Sequence, residues 1–307
     1  MYERDLALFD LISRRPFRRS AIDQESAQDV QAKIARYGVN FSVPFGGYKG
    51  SGLLCSPSLN WAEVVWMDYL RSYAEPMTRL VSTEIEFALT YLSGVLGFIN
   101  LTTDAEQTCY LQDLKVLADA MSGDGVRFRL VDLTELAGGR ISVLSEVQAN
   151  YERLRLKNHD VSREKIASAA RNCRNPDDAY DAALRCEAME MLPARRQFNK
   201  FGKHVQLTHV RGASRSVHIG SCRSSVVQPW VGAGVFEYRE GVLMPRILGR
   251  TRLACHEVVQ TRLEDVELSL SKRALGAAHL FPQLKRVPIV ETRPESDHVN
   301  SHSLVNG

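Results

Sequence analysis

Two hydrophobic periods alternate along the first half of the chain. Leu6, Leu8, Phe9, Leu11 and Ile12 recur at helical spacing ahead of Arg14, Arg15, Arg18 and Arg19, which predicts a short amphipathic helix ending near Pro16. Residues 22–37 read as a second helix closed by Gly38, after which Val39, Phe41 and Val43 alternate with polar neighbours as a strand does. Asn60 stands where it can cap a helix beginning at Trp61, and Glu63 occupies the capping-box position. That helix is predicted to reach Tyr73 and stop ahead of Pro76. The apolar run over 85–99 predicts two strands meeting at Gly94, and a helix over Asp104–Met121 and a strand over Val126–Val131 follow. Strands and helices in this order, joined by short polar turns, predict βαβ units and a parallel sheet.

From 139 to 200 the period is helical, with Pro176 and Pro193 as breaks and Asn175 as a cap. From His204 onward short strand patterns take over, at His204–Val210, Ser214–Ile219, Ser225–Val227, Val235–Tyr238 and Val242–Leu248. The polar stretch Glu295–Gly307 reads as a disordered tail. The expected fold is therefore α/β and Rossmann-like, one domain over residues 1–294. It has a mostly parallel sheet, a helical insertion over about 139–200 and a more antiparallel C-terminal third.

Composition narrows the function classes. The longest uncharged run, Phe87–Thr103, has 17 residues and includes several polar ones, whereas a membrane helix needs about 20 mostly apolar residues. Glu3, Asp5 and Asp10 do not suit a secretory or organellar leader, so a cytoplasmic protein is expected. The 6 cysteines form no Cys-x-x-Cys pair, so neither a disulfide framework nor a structural zinc site is expected, and no metal or cofactor is implied.

Charge is more informative by position than in total. The chain carries 39 Lys plus Arg against 36 Asp plus Glu, a net +3. Residues 191–236 contain no carboxylate, yet they hold Arg195, Arg196, Lys200, Lys203, Arg211, Arg215 and Arg223, a net +7 in one strip. Such a strip suits a small anionic substrate carrying phosphate or carboxylate. Nucleic acid is the less favoured partner, because aromatics in the strip are sparse and no nucleic-acid-binding motif is visible.

Four candidate features follow, each with a plainer reading beside it. The loop Pro44–Gly52 has glycines at 46, 47, 50 and 52 that let backbone approach a ligand, with Lys49 as a point charge; it matches no nucleotide fingerprint, and a surface turn is the plainer reading. Glu63 is either a capping residue or a general base one turn into its helix. In Arg215–Ile219 strand alternation puts Arg215 and His218 on opposite faces unless the strand ends or bulges, and a lone histidine there is more often structural. Ser221, Arg223 and Ser224, within Gly220–Ser225, have the composition of an anion nest or of a polar turn. Cys222 beside Arg223 is a lesser, nucleophilic candidate.

These features, in this order, resemble the isocyanide synthases, a family that includes the paerucumarin enzymes. The resemblance rests on Lys49 of Pro-Phe-Gly-Gly-Tyr-Lys-Gly, on Pro57 through Glu63, on Val126–Leu136, on Arg215 and His218, and on Pro229-Trp230, over roughly residues 40–250. The chain departs from the family in Gly50-Ser51 after Lys49 and in Val231 after Trp230. The resemblance implies a biosynthetic enzyme that joins an amino acid to a phosphorylated ketose and converts the amine to an isonitrile. In that reading Lys49, Glu63 and His218 are catalytic, and Arg215, Arg223, Ser221, Ser224 and Trp230 hold substrate. The alternative is a non-catalytic protein whose cationic surface docks an acidic partner or nucleic acid.

Overall fold

The computed structural model describes residues 3–15, 17–18, 20–50, 53–54, 57–173, 175–193, 202–208, 215–220 and 228–291. Side-chain caps set the early boundaries. After α1 (Glu3–Ser13), Asp23 accepts from the Ser26 amide at 2.8 Å to open α2 (Gln24–Tyr37), which leads into β1 (Phe41–Pro44). Asn60 and Glu63 form the expected capping box of α3 (Trp61–Thr78), and β2 (Ile85–Tyr91) and α4 (Val95–Asn100) follow. Thr103 and Glu106 form a second box for α5 (Asp104–Met121), before β3 (Val126–Asp132). The helical middle contains α6 (Leu133–Leu136), α7 (Arg140–Leu156), α8 (Arg163–Asn172) and α9 (Ala179–Glu190). Then come β4 (Val205–Thr208), β5 (Ser216–His218), β6 (Gly232–Arg239), β7 (Val242–Gly249), α10 (Arg250–Leu253), β8 (Glu257–Arg262), α11 (Lys272–Ala278) and β9 (Arg286–Glu291).

Among the described residues the strands form two sheets. The first has the order β3-β2-β1-β4-β5, and every neighbouring pair in it is parallel. This is the Rossmann-like arrangement, with the order reversing direction between β1 and β4. The second, β7-β6-β9-β8, is mixed: β6 and β9 run parallel, and the two outer pairs run antiparallel. Helix α3 lies between the sheets. Trp66 and Tyr73 reach Phe45 and Phe41 at ring-centroid distances of 5.4 and 5.5 Å, while Trp61 meets Phe236 of β6 edge-on at 5.3 Å. No described helix is long and apolar enough to cross a membrane.

Two expectations are corrected. Helix α3 runs through Pro76 instead of stopping before it. Proline withholds the amide that would bond the Ser72 carbonyl, and the Arg14 guanidinium donates to Ser72 O at 3.1 Å and to Tyr73 O at 2.9 Å in its place. The apolar segment 95–99 is the helix α4, not a second strand: Gly94, at φ 73°, turns the chain, and its amide donates to Gln107 Oε1 at 3.2 Å. A short run buried on all sides carries no periodicity that separates helix from strand. The expected antiparallel character of the C-terminal third is that of the second sheet, whose outer pairs β6–β7 and β8–β9 run antiparallel, while β4 and β5 extend the parallel sheet. The expected strand Ser225–Val227 and the expected tail Glu295–Gly307 lie outside the described residues.

The two faces of the parallel sheet differ. Phe41, Val43, Phe87, Leu89, Val205, Leu207 and Val217 all enter the main core. Alternation puts the intervening residues on the other face, where Ser42 pairs with Ala88 and Gln206, and Gln206 with Ser216. Parallel strands between helical layers ordinarily read as near-continuous apolar runs. Here one face is small and polar.

Candidate functional site

A cavity of about 330 Å³ lies over the carboxyl ends of β1 and β2 and beside Gln206 of β4, on the polar face. Ser42, Thr90 and Gln206 reach it from the sheet, while Leu96 and Asn100 of α4 and Met189 of α9 close it from the opposite side. The roof is part of a separate apolar cluster in which Val95 and Ile99 of α4 pack with Val143, Val147 and Tyr151 of α7 and Leu184 and Ala188 of α9. The helical middle segment therefore covers the place where the strand order reverses. That is where open α/β sheets bind ligands, because loops diverge there and leave a crevice.

The glycine loop builds one wall, by a contact the sequence did not disclose. Residues Gly46–Gly50 are buried, so the loop is not a surface turn. A β-carbon on Gly46 would stand 2.3 Å from Cδ1 of Trp230, so the glycine makes room for an indole. The Gly50 amide donates to Trp230 O at 2.7 Å, and the Trp230 ring packs on Phe45 at 4.9 Å. Phe45, Gly46, Tyr48 and Trp230 all line the cavity.

Lys49 and Glu63 are brought together, side by side with that wall. Lys49 Nζ donates to Glu63 Oε1 at 2.6 Å, to Pro229 O at 2.7 Å and to Gly232 O at 3.1 Å. Glu63 Oε1 also accepts from Tyr110 Oη at 2.9 Å, and Oε2 accepts from the Asn60 amide at 2.9 Å. Both ionic side chains are 0% exposed. Neither is among the residues lining the cavity. The capping reading of Glu63 is thus realised together with a buried ion pair.

Arg215 and His218 lie at and beside the edge strand β5, and neither lines the cavity. Arg215 precedes the strand at φ 53°, is exposed, and donates to Glu25 Oε1 at 2.7 Å. His218 Nδ1 meets Ser20 Oγ at 3.0 Å on the face shared with Ser216. Ser221, Arg223, Ser224 and Cys222 lie outside the described residues. Of the expected substrate-holding residues, Trp230 is the one the described structure puts in the cavity wall.

The described lining contains no Asp, Glu, Lys, Arg or His. Its titratable groups are held neutral. Burial pushes the Tyr48 phenol far up, against a hydrogen bond from Trp230 that pulls it down. Burial, then the Asp132 charge, raises Tyr91; burial, then Glu190, raises the Cys186 thiol. The site can donate and accept neutral hydrogen bonds and enclose apolar surface, as small-molecule pockets do. Sequence reasoning missed Thr90, Tyr91, Gln206, Asn100 and Cys186. The available signal was position: Thr90 and Tyr91 stand near the carboxyl end of a predicted parallel strand.

No family model matches the chain, and no curated protein matches it. Among solved structures, the PvcA protein from Pseudomonas aeruginosa superposes with a TM-score of 0.60 at 16% identity, over 84% of this chain and 96% of that one. At that identity the likeness is one of fold, and it spans nearly the whole of the other chain.

Proposed function

We propose that the chain is a biosynthetic enzyme that places the uncharged part of a small anionic substrate in the cavity over β1, β2 and β4. The reaction proposed is of the isocyanide-synthase kind, joining an amino acid to a phosphorylated ketose. The observation that carries this reading is the cavity itself, set at the reversal of strand order, floored by Ser42, Thr90 and Gln206 and roofed by the helical insertion. The resemblance along residues 40–250 and the fold shared with PvcA support it. In this reading the substrate's anionic group is left to the carboxylate-free segment 191–236, whose net charge is +7.

The test supplies the purified chain with amino acids and a ketose phosphate and follows an isonitrile product by mass spectrometry and infrared absorption. Turnover is expected in the wild type, with losses in Trp230→Ala and Gln206→Leu that exceed any loss of folded protein at the assay temperature. Unchanged turnover in both variants would remove the cavity from the reaction.

The neutral lining favours a second reading, a binding protein without chemistry. Ligand binding with no product in that experiment would support it. Affinity that falls steeply with salt would then identify an extended polyanion as the partner, since each neutralised phosphate releases counterions.

A further inference from the structure

We propose that Lys49 and Glu63 form a buried clamp that positions Trp230 as a wall of the cavity, both acting as positioning residues. The inference rests on the reading of that cavity as the ligand site.

The backbone that carries Trp230 is a single 3-10 turn, Pro229–Val231, leading directly into β6. Such a turn has few internal bonds of its own; here the Val231 amide returns to Gln228 O at 3.1 Å and the Gly232 amide to Pro229 O. The remaining grip comes from outside it. Lys49 Nζ reaches Pro229 O and Gly232 O, the Gly50 amide reaches Trp230 O, and Asn60 Nδ2 reaches Gly232 O at 3.3 Å. Three carbonyls of this short stretch are therefore held by the glycine loop and by the cap of α3.

The ammonium has one acceptor for each of its hydrogens in Glu63 Oε1, Pro229 O and Gly232 O. Glu63 in turn accepts from Lys49, Tyr110 and the Asn60 amide. Two of these bonds hold carbonyls of the turn, and the carboxylate is the paired opposite charge that a buried ammonium requires. The other side of the indole is set by Phe45 and by the missing β-carbon of Gly46. Together these contacts fix both the backbone and the ring of Trp230, while Lys49 and Glu63 stay out of the cavity.

Fluorine NMR of the full chain labelled with fluorotryptophan tests the clamp without any ligand, so its failure is separable from failure of the proposed reaction. The chain has 3 tryptophans, and Trp230→Phe assigns the relevant resonance. Lys49→Met is expected to broaden or split the Trp230 resonance. Should that variant fail to fold, Lys49→Met/Glu63→Gln replaces the ion pair with a neutral pair of similar size and is expected to give the same signature. Tyr110→Phe, which removes a hydroxyl from Glu63 but no bond to the turn, is expected to leave the resonance single and in place. A single, unmoved Trp230 resonance in the double variant would overturn the proposal, as would an equal disturbance in Tyr110→Phe, which would report general loosening of the core.

Discussion

Gly46 and Trp230 occupy one another's space: a β-carbon on the glycine would lie 2.3 Å from the indole, well inside any real contact. The glycine is required by packing and not by backbone conformation. Gly46→Ala is expected to cost about 1–3 kcal/mol, the usual range for forcing extra volume into a packed site. In a Trp230→Ala background the same substitution should cost much less, because the obstructing ring is gone. Chemical denaturation of the four proteins in that cycle measures the coupling, and additive costs would contradict the contact.

The Lys49–Glu63 pair should behave non-additively as well. Removing one member leaves the other charged and buried, which costs about 3–5 kcal/mol, whereas replacing both with neutral groups of similar volume is often near neutral. Lys49→Met and Glu63→Gln are each expected to destabilise strongly and the double variant considerably less. Urea midpoints of the four chains decide it.

Arg14 supplies bonds that Pro76 denies to its own helix. Arg14→Ala is expected to cost about 1–3 kcal/mol, the range for stranding polar backbone. With Pro76→Ala the Ser72 carbonyl regains an amide partner, so Arg14→Ala should then cost less. An equal cost in both backgrounds would show that Arg14 acts through its packing over Phe17, 4.6 Å from the ring centroid, instead of through the carbonyls.

Acid sensitivity should come in two stages at one cluster. Glu86 accepts from Arg129 at 3.0 and 2.8 Å and contacts His204 at 3.2 Å. The Arg129 hydrogen bonds, opposed by burial, hold the Glu86 carboxyl below its ordinary 4.5. Burial holds His204 below 6.5 despite the Glu86 charge. As pH falls through 6.5 the unfolded chain takes up a proton at His204 before the folded chain does, so stability declines. The Glu86 contribution is present above 4.5 and is lost as pH falls through its lower folded value. His204→Gln should abolish the first decline and leave the second. Denaturation midpoints along a pH series give the answer, and a first decline that persists in the variant would assign it elsewhere.

Much of the local structure was readable in advance because it depends on near neighbours. The capping box at Asn60–Glu63 is written three residues apart and appears where expected, and Thr103–Glu106 forms a second box at the same spacing. The period-two patterns at Phe41–Val43 and Val126–Val131 became parallel strands. The errors arose where a distant group changed a local rule, as Arg14 did at Pro76, or where burial on all sides erased periodicity, as in 95–99.

The site was less legible for the same reason. From the sequence alone came an α/β fold, a helical middle, a cationic strip and a glycine loop holding Lys49. The residue types could not say which of them would meet, because the contacts of Lys49 with Pro229 O and Gly232 O span 180 and 183 positions. Chain closure over that range is specified by the packing of whole layers and not by any local preference. Only the tertiary structure decided that Lys49 bonds the Trp230 turn, that Arg215 faces Glu25 outside the cavity, and that the polar face of the sheet meets the helical insertion at the β1–β4 reversal.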